Sequence, residues 1–252
     1  MPSNQKRADD PGAEVRVLTG HADFHATVEL QKKVWGFSET DCVAPRLCAV
    51  AEEIGGLVLG AFLGEQMIGF SLAFPGVKDG GRPYWHSHMT GVLPDYQNRR
   101  IGRQLKLFQR QEAVRAGIDL IEWTFDPLEI RNAYFNIERL GVIVSHFLPN
   151  QYGITSSRLH GGLPTDRLVA EWHVRSERVE RAIDGPPLEA AVIVATIEIP
   201  TEIPELRDTE VERAREIQTR VREEFQQHLA AGLTVVGYRT SSSAGVYQLA
   251  KL

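Results

Sequence analysis

The residues that could do chemistry fall into two groups, and the first is a basic turn at residues 97–103 (QNRRIGR) that runs straight into an amphipathic helix. The start of a helix offers unpaired backbone N–H groups and a partial positive charge. The turn therefore predicts a site for a phosphate or pyrophosphate. It lacks the Gly-Lys-Ser/Thr ending of a nucleotide-triphosphate loop. A solvated basic turn without a ligand is the alternative interpretation.

The second group consists of polar side chains that alternate along two segments predicted to be strands. Side chains of a strand point alternately to its two faces, so one face of each segment is polar: His86, His88 and Thr90 on 84–93, and Glu122, Thr124 and Asp126 on 118–126. Imidazole and carboxylate groups are the common proton acceptors of enzymes, which makes Asp126 and His88 the candidate bases. Asp126 followed by Pro127 also resembles an ordinary helix start, in which Asp126 would be only an N-cap.

Apolar periodicity and turn residues predict the elements that must position these groups. Two strands, 57–64 and 67–76, form a hairpin around Glu65 and Gln66. The pattern predicts helices over 21–36, 45–56, 101–117, 127–141 and 208–231, and further strands over 84–93, 118–126, 142–148, 168–174, 190–199, 233–239 and 244–250. This order predicts an α/β fold with a mixed, partly parallel central sheet flanked by helices.

The character of the chain changes along its length, which suggests three parts. Residues 1–13 are polar and predict a disordered N-terminus, and residues 14–175 contain the alternating core. A Gly/Ser/Thr/Pro-rich stretch after Gly153 predicts a long loop. Residues 176–252 form a C-terminal α/β extension, either a separate domain or a continuation of the same sheet. Its helix at 208–231 carries an apolar stripe suited to docking on the protein surface.

Composition excludes several classes of function. The 252-residue chain has a formal net charge of −5, which argues against nucleic acid as the main partner. Cys42 and Cys48 lack partners at zinc spacing, so we expect a reduced pair and no metal site. No apolar run approaches the ~20 residues of a membrane span, and the N-terminus has no signal-peptide pattern. We expect a cytoplasmic protein that does not bind membranes.

The basic turn resembles motif A of the GNAT (Gcn5-related) N-acyltransferases, in which Q/R-x-x-G-x-G/A follows a strand ending in V-x-P-x-Y. The resemblance covers roughly residues 15–175 and includes the order of the elements and the segment NAYFNIERLGV at 132–142. In that family the backbone N–H groups of this loop bind the pyrophosphate of coenzyme A. The resemblance thus implies these cofactor-binding residues: Val92, Gln97, Asn98, Arg99, Arg100, Ile101, Gly102 and Arg103.

Two positions depart from the family pattern. Arg100 replaces the first glycine of the motif; its N–H can still face a phosphate if its φ is negative. The tyrosine that often protonates the leaving thiolate falls at Ile137, which carries no proton to donate. Tyr134, one turn earlier, is the candidate substitute and completes the predicted catalytic set with Asp126 and His88.

The resemblance implies a GNAT-fold, CoA-dependent N-acyltransferase that acts on the amine of a small molecule such as an amino acid. Acetyl-CoA is the expected donor and succinyl-CoA the alternative, since the segment 124–141 looks like that of a bacterial subgroup of predicted acetyltransferases. The C-terminal extension could form the contact of a homodimer. Two other functions stay open: a non-catalytic acyl-CoA-binding module, and a scaffold that uses helix 208–231.

Overall fold

The computed structural model describes residues 12–153, 162–186 and 191–252. The chain divides into two compact units, of which the first ends at Ile118 and the second spans Asp119–Leu252. Residues 1–11 of the predicted disordered N-terminus, and residues 154–161 of the predicted long loop, lie outside the described residues. The domain boundary at 175/176 stays a prediction.

From residue 12 onward, the first unit contains four strands and three helices. Its elements are β1 (Glu14–Val17), α1 (His21–Trp35), α2 (Pro45–Glu53), β2 (Leu57–Leu63), β3 (Gln66–Lys78), β4 (Arg82–Val92) and α3 (Ile101–Arg115). The strands pair antiparallel in the order β1-β2-β3-β4, and the hairpin predicted at Glu65 and Gln66 joins β2 to β3. Strand β1 was not predicted, because a four-residue strand is too short to show a clear alternation.

The main core of this unit lies between the sheet and the first two helices. Phe70 and Leu72 of β3 are fully buried against Phe24 of α1 and Cys48 of α2. Both cysteines are free thiols, and burial raises the pKa of Cys48. Cys48 therefore acts as a small apolar core residue rather than as a reactive one.

A β-bulge in β4 changes the predicted arrangement of the polar residues on this strand. Leu72 pairs with Met89 but Ala73 pairs with Ser87, so His88 is an extra residue in the ladder. An extra residue reverses the alternation on one side of the bulge. The prediction that Thr90 shares a face with His86 and His88 is therefore wrong. Thr90 instead shares the face of Ser87.

The described residues of the second unit form six strands and four helices. Its elements are β5 (Leu120–Phe125), α4 (Ile130–Tyr134), β6 (Ile143–Leu148), β7 (Arg167–His173), α5 (Glu177–Asp184), β8 (Ala195–Pro200), α6 (Ile203–Thr209), α7 (Val211–Ala230), β9 (Thr234–Thr240) and β10 (Ala244–Ala250). The strand order is β5-β7-β6-β9-β10-β8, and the strand pairs of this unit are antiparallel. Strands β5 and β6 run in the same direction, but β7 lies between them. The prediction of an α/β fold with helices flanking a large sheet is confirmed.

Two predicted helices are shorter or broken in the structure. The helix predicted over 127–141 begins only at Ile130 and continues after Tyr134 as a π-helical turn, Phe135–Arg139. The helix predicted over 208–231 is interrupted at Glu210, whose φ of −140° and ψ of 63° end α6 before α7 starts. Helical periodicity survives a one-residue interruption of this kind, so the sequence does not reveal it.

An aromatic cluster forms the core of the C-terminal part of this unit. Tyr247 of β10 packs edge-on against Phe225 of α7, with ring centroids 5.1 Å apart, and against Tyr238 of β9 at 4.6 Å. The Tyr247 hydroxyl donates a 2.8 Å hydrogen bond to the Pro127 carbonyl. Burial raises the pKa of Tyr247 well above its ordinary value, so this hydroxyl keeps its proton. The cluster thereby fixes the backbone just after β5.

Candidate functional site

The basic turn connects β4 to α3 through a short 3₁₀ turn and two strained residues. The Gln97 side chain donates a 3.1 Å hydrogen bond to the Val92 carbonyl and closes the turn. Asn98 and Arg100 both adopt positive φ, 62° and 64°. Arg100 therefore does not have the negative φ that would let its own N–H face a phosphate. Its backbone instead adopts the left-handed conformation typical of glycine. Such a residue costs about 1–2 kcal/mol, and two in one turn indicate a backbone shaped for a purpose.

The N-cap residue at the start of α3 does not cap the helix with its side chain. This residue is Arg100, which makes no capping hydrogen bond. A guanidinium carries five N–H donors and no acceptor, so arginine cannot bind the backbone N–H groups of the first turn. Those groups therefore depend on solvent or on an anionic ligand. Uncapped N–H groups beside exposed arginines form a suitable cradle for a phosphate.

Gly102 leaves open space directly at this helix start. A Cβ atom built on Gly102 would meet nothing closer than Val92 Cγ2, at 4.0 Å. Its φ is not positive, so neither crowding within the protein nor backbone conformation requires glycine here. A glycine inside a helix destabilises it by about 0.5–1 kcal/mol relative to alanine. The space that Gly102 keeps free is therefore best explained by a ligand that approaches the backbone.

The positive charges around the turn are exposed. Arg99 and Arg100 are exposed, and the Arg99 guanidinium lies 5.7 Å from the Tyr96 ring centroid. The Tyr96 hydroxyl in turn donates to Gln66 Oε1 at 3.3 Å. On the opposite side Ile101 and Leu105 are fully buried and anchor α3. The turn thus presents charge and N–H groups to solvent from a fixed helix.

A lysine is buried one turn into the same helix. Lys106 is 4% exposed, and its ammonium donates to the Ser87 hydroxyl at 2.9 Å and to Gln109 Oε1 at 3.2 Å. Gln109 also donates to Ser87, at 3.1 Å. Desolvation by burial lowers the pKa of Lys106 to about 7. Sequence reasoning missed this cluster, because the Ser87 contact depends on the register of β4.

The β4 bulge turns His88 toward solvent. Its ring lies edge-on to Phe74, with centroids 5.8 Å apart, and 6.0 Å from the ring of His86. One part of the ring remains exposed. Desolvation by the surrounding protein, and secondly the nearby His86, lower the pKa of His88 below its ordinary value. His88 is therefore a neutral imidazole at pH 7, the form that can accept a proton.

In the second unit Asp126 lies at the end of β5 with both carboxylate oxygens engaged. Its Oδ1 accepts a 2.8 Å hydrogen bond from the Leu128 N–H, and its Oδ2 forms a 2.8 Å ion pair with Arg207. The prediction that Asp126 is the N-cap of the following helix is wrong, because Glu129 is the N-cap residue of α4 and Asp126 closes a local turn four residues before the helix starts. A catalytic role for Asp126 stays a prediction.

Arg207 connects Asp126 to a second carboxylate that sequence reasoning did not single out as a site residue. Its Nη1 lies 2.5 Å from Glu129 Oε1. The side chains of Arg207 and Asp126 are 6% and 10% exposed, whereas that of Glu129 is 38% exposed. Nothing in the sequence relates α6 to the end of β5, because the two segments are 81 residues apart.

The fold is similar to that of several acetyltransferases of known structure. The Salmonella typhimurium protein yncA with its cofactor acetyl-CoA matches with a TM-score of 0.52 and 19% identity, over 66% of this chain and 96% of that chain. The Escherichia coli ribosomal-protein-S18-alanine N-acetyltransferase matches with a TM-score of 0.52 and 16% identity, over 71% and 99%. The chain has the GNAT fold. No family model and no curated protein matches the sequence.

The GNAT fold accounts for about two thirds of the chain, since the alignments include nearly all of each neighbour but only 66–71% of this chain. Within the described residues, no three His, Cys, Asp or Glu side chains are grouped so that they could hold a metal ion. No helix among them has the length and apolarity needed to cross a membrane.

Tyr134 and Ile137 lie in the segment where the GNAT family pattern has its tyrosine. Ile137 is buried, at 1% exposure, whereas Tyr134 is 40% exposed on α4. The Tyr134 hydroxyl can therefore reach solvent or a substrate. Whether it donates a proton to the leaving thiolate stays a prediction.

We expect Tyr134→Phe to leave turnover nearly unchanged, because the GNAT pattern places the acid at Ile137 and water can protonate a thiolate. The measurement is kcat for thiol release, with Tyr84→Phe in β4 as a matched control. A loss of about 10²-fold or more in Tyr134→Phe alone, the lower end of general-acid effects, would show that Tyr134 is the acid.

Proposed function

We propose that the protein is a CoA-dependent N-acyltransferase that moves an acetyl group from acetyl-CoA to the amine of a small molecule such as an amino acid. The observation that carries the proposal is the start of α3, where the N-cap residue Arg100 makes no side-chain capping hydrogen bond and Gly102 keeps open space. Such a site suits a pyrophosphate ligand. The GNAT fold supports the same ligand. Succinyl-CoA is the alternative donor.

The basic turn supplies the binding of the donor in this proposal. The backbone of residues 97–103 binds the pyrophosphate, and Arg99 and Arg100 add charge from the rim. The backbone near Val92 is proposed to donate to the thioester carbonyl, which gains negative charge in the transition state. Each of these roles concerns residues 92–103, which form one continuous segment at the end of β4 and the start of α3.

The chemistry requires a proton acceptor before the transfer and a proton donor after it. The amine nitrogen attacks the thioester carbonyl carbon, the C–S bond breaks, and the products are an amide and free CoA. His88 is proposed as a proton acceptor because its lowered pKa keeps it neutral at pH 7. Asp126 is proposed to attract the ammonium through its charge, and Tyr134 or water to protonate the thiolate.

A non-catalytic acyl-CoA-binding module is the second candidate function. Two observations favour it: the buried Ile137 offers no acid, and both oxygens of Asp126 are already engaged. Such a module would keep the donor site of α3 and lack turnover.

A thiol-release screen separates the two functions. The protein is incubated with acetyl-CoA or succinyl-CoA and a panel of amino acids and other small amines, and free CoA thiol is followed with time. Thiol release that depends on one class of amine supports the acyltransferase. Tight CoA binding without release for any amine supports the binding module instead.

A further inference from the structure

A buried polar network joins β4 to α3 within the first unit. The Lys106 ammonium donates to the Ser87 hydroxyl at 2.9 Å and to Gln109 Oε1 at 3.2 Å, and Gln109 Nε2 donates to Ser87 at 3.1 Å. None of the three side chains is more than 4% exposed. The contacts close a triangle with two corners on the helix and one on the strand, so they fix one point of β4 against α3.

The point that the network holds is the residue directly before the β4 bulge. Ser87 pairs with Ala73, and the next residue, His88, is the extra one in the ladder. Neighbouring side chains of a strand point to opposite faces, so α3 contacts the strand from the face opposite the His88 imidazole. A bulge disrupts the hydrogen bonds of the ladder locally. The hydrogen bonds to Ser87 therefore replace part of the support that the ladder loses at His88.

A second buried side chain fixes the bulge from its other end. Ser71 of β3 is 1% exposed; its hydroxyl donates to the Met89 carbonyl at 3.2 Å and lies 3.0 Å from the Thr90 hydroxyl. His88 is thus flanked on both sides by residues that buried side chains hold, Ser87 and Met89. A bulge can re-aim a side chain, and support at both of its ends keeps that side chain in one direction.

A lysine at position 106 costs stability. Desolvation lowers the pKa of Lys106 to about 7, so burial disfavours its charged form, and an apolar side chain of similar size would be more stable here at neutral pH. A helix packs on a sheet through an apolar face and needs no buried lysine to do so. The network is therefore better explained by a fixed geometry at the bulge than by a gain in stability.

We infer that Lys106 is a positioning residue for the acyl transfer: by holding Ser87, it fixes the β4 bulge and keeps the His88 imidazole in a constant position relative to the start of α3. The inference rests on the proposed N-acyltransferase function, in which His88 accepts a proton and the start of α3 binds the donor. All of these residues belong to the first unit. Lys106 lies four residues after Gly102, about 6 Å along the helix axis, so one helix carries both the donor site and the support of the proton acceptor.

The first test is Lys106→Met, which keeps the length of the side chain and removes its N–H donors. We expect kcat for thiol release to fall by about tenfold or more, because a displacement of about 1 Å at a reacting group can cost about 10²-fold. The affinity for CoA should stay within about threefold of wild type, since the start of α3 is unchanged. The melting temperature at pH 6 should rise, so the loss of turnover cannot result from unfolding. Gln111→Met, at an exposed position of α3, is the matched control and should keep full activity.

The second test asks whether the two residues act through one contact. Ser87→Ala removes the strand side of the network and should also lower kcat by about tenfold or more. Residues that act as a unit are not additive, so Lys106→Met/Ser87→Ala should be about as slow as the slower single variant. Hydrogen exchange of the His88 and Met89 amides gives a readout that does not depend on turnover. In Lys106→Met it should be at least about tenfold faster than in wild type.

Three results would overturn the inference. One is a Lys106→Met variant with kcat within about threefold of an active wild type, which is too small for a displaced reacting group. Another is a double variant in which the two losses multiply, since that would show independent roles. The third is a slower Lys106→Met with unchanged exchange at His88 and Met89. A wild type that binds CoA but acylates no amine would instead contradict the proposed function itself, and the inference would fall with it.

Discussion

Lys106→Met is expected to stabilise the protein at neutral and lower pH, and the gain should disappear toward pH 10. Burial lowers the pKa of Lys106 from 10.5 to about 7 in the folded protein. Between these values the unfolded chain binds more protons than the folded one, so the stability of the wild type rises with pH through this window. Below pH 7 the cost of the buried lysine is fully present. At about 1.4 kcal/mol per pKa unit, the upper bound of the destabilisation caused by the buried lysine is roughly 4–5 kcal/mol.

The net gain in Lys106→Met should be about 2–4 kcal/mol at pH 6, because the lysine also makes hydrogen bonds that are worth about 1 kcal/mol each. Ser87 keeps its bond to Gln109 in the variant. The free energy of unfolding is measured in urea at several pH values, with the exposed Lys33→Met as control. A difference between variant and wild type that does not change from pH 6 to pH 10 would show that Lys106 stays charged in the folded protein.

Asp126→Asn should lower both stability and activity. Asparagine can still accept the Leu128 N–H, but it removes one of the two carboxylates that form ion pairs with Arg207. Removing one partner of a buried pair costs about 3–5 kcal/mol, and the remaining pair should limit the loss to about 1–3. We expect kcat/KM for the amine to fall by about 10²-fold or more, because the side chain proposed to attract the ammonium loses its charge.

Chemical denaturation and steady-state kinetics test this prediction, with CoA affinity as the internal control. The double variant Asp126→Asn/Arg207→Met also removes the Arg207 charge and should recover part of the stability but not the activity. Recovery of activity in the double variant, or an unchanged melting temperature in Asp126→Asn, would show that the ion pair matters less than its geometry suggests.

The sequence was sufficient to predict the order of most elements and the position of the basic turn. Periodicity located α1, α2, α3 and the β2–β3 hairpin within a few residues, because each has a clear apolar face and a glycine or turn residue at its end. The start of α3 at Ile101 follows from the same signals. Local patterns determine features of this kind.

Features that depend on pairing between distant segments could not be predicted. The bulge at His88 adds one residue to β4, and no alternation pattern shows which residue a partner strand skips. Arg207 lies one residue before the helix predicted over 208–231, and no sequence pattern relates it to Asp126, which it contacts in the fold. The positive φ of Arg100 is likewise a property of the folded turn, since glycine is the residue expected there.

Calorimetric titration of CoA into the wild type and Gly102→Val is the most direct measurement of the central claim, that the start of α3 binds the pyrophosphate of an acyl-CoA. The variant adds a side chain to space that the protein leaves open, so it should fold normally and yet bind CoA at least about tenfold more weakly, a loss of about 1.4 kcal/mol. Pantetheine, which lacks the pyrophosphate, should bind both proteins equally. Equal CoA affinity in wild type and Gly102→Val, or no CoA binding by the wild type, would contradict the account.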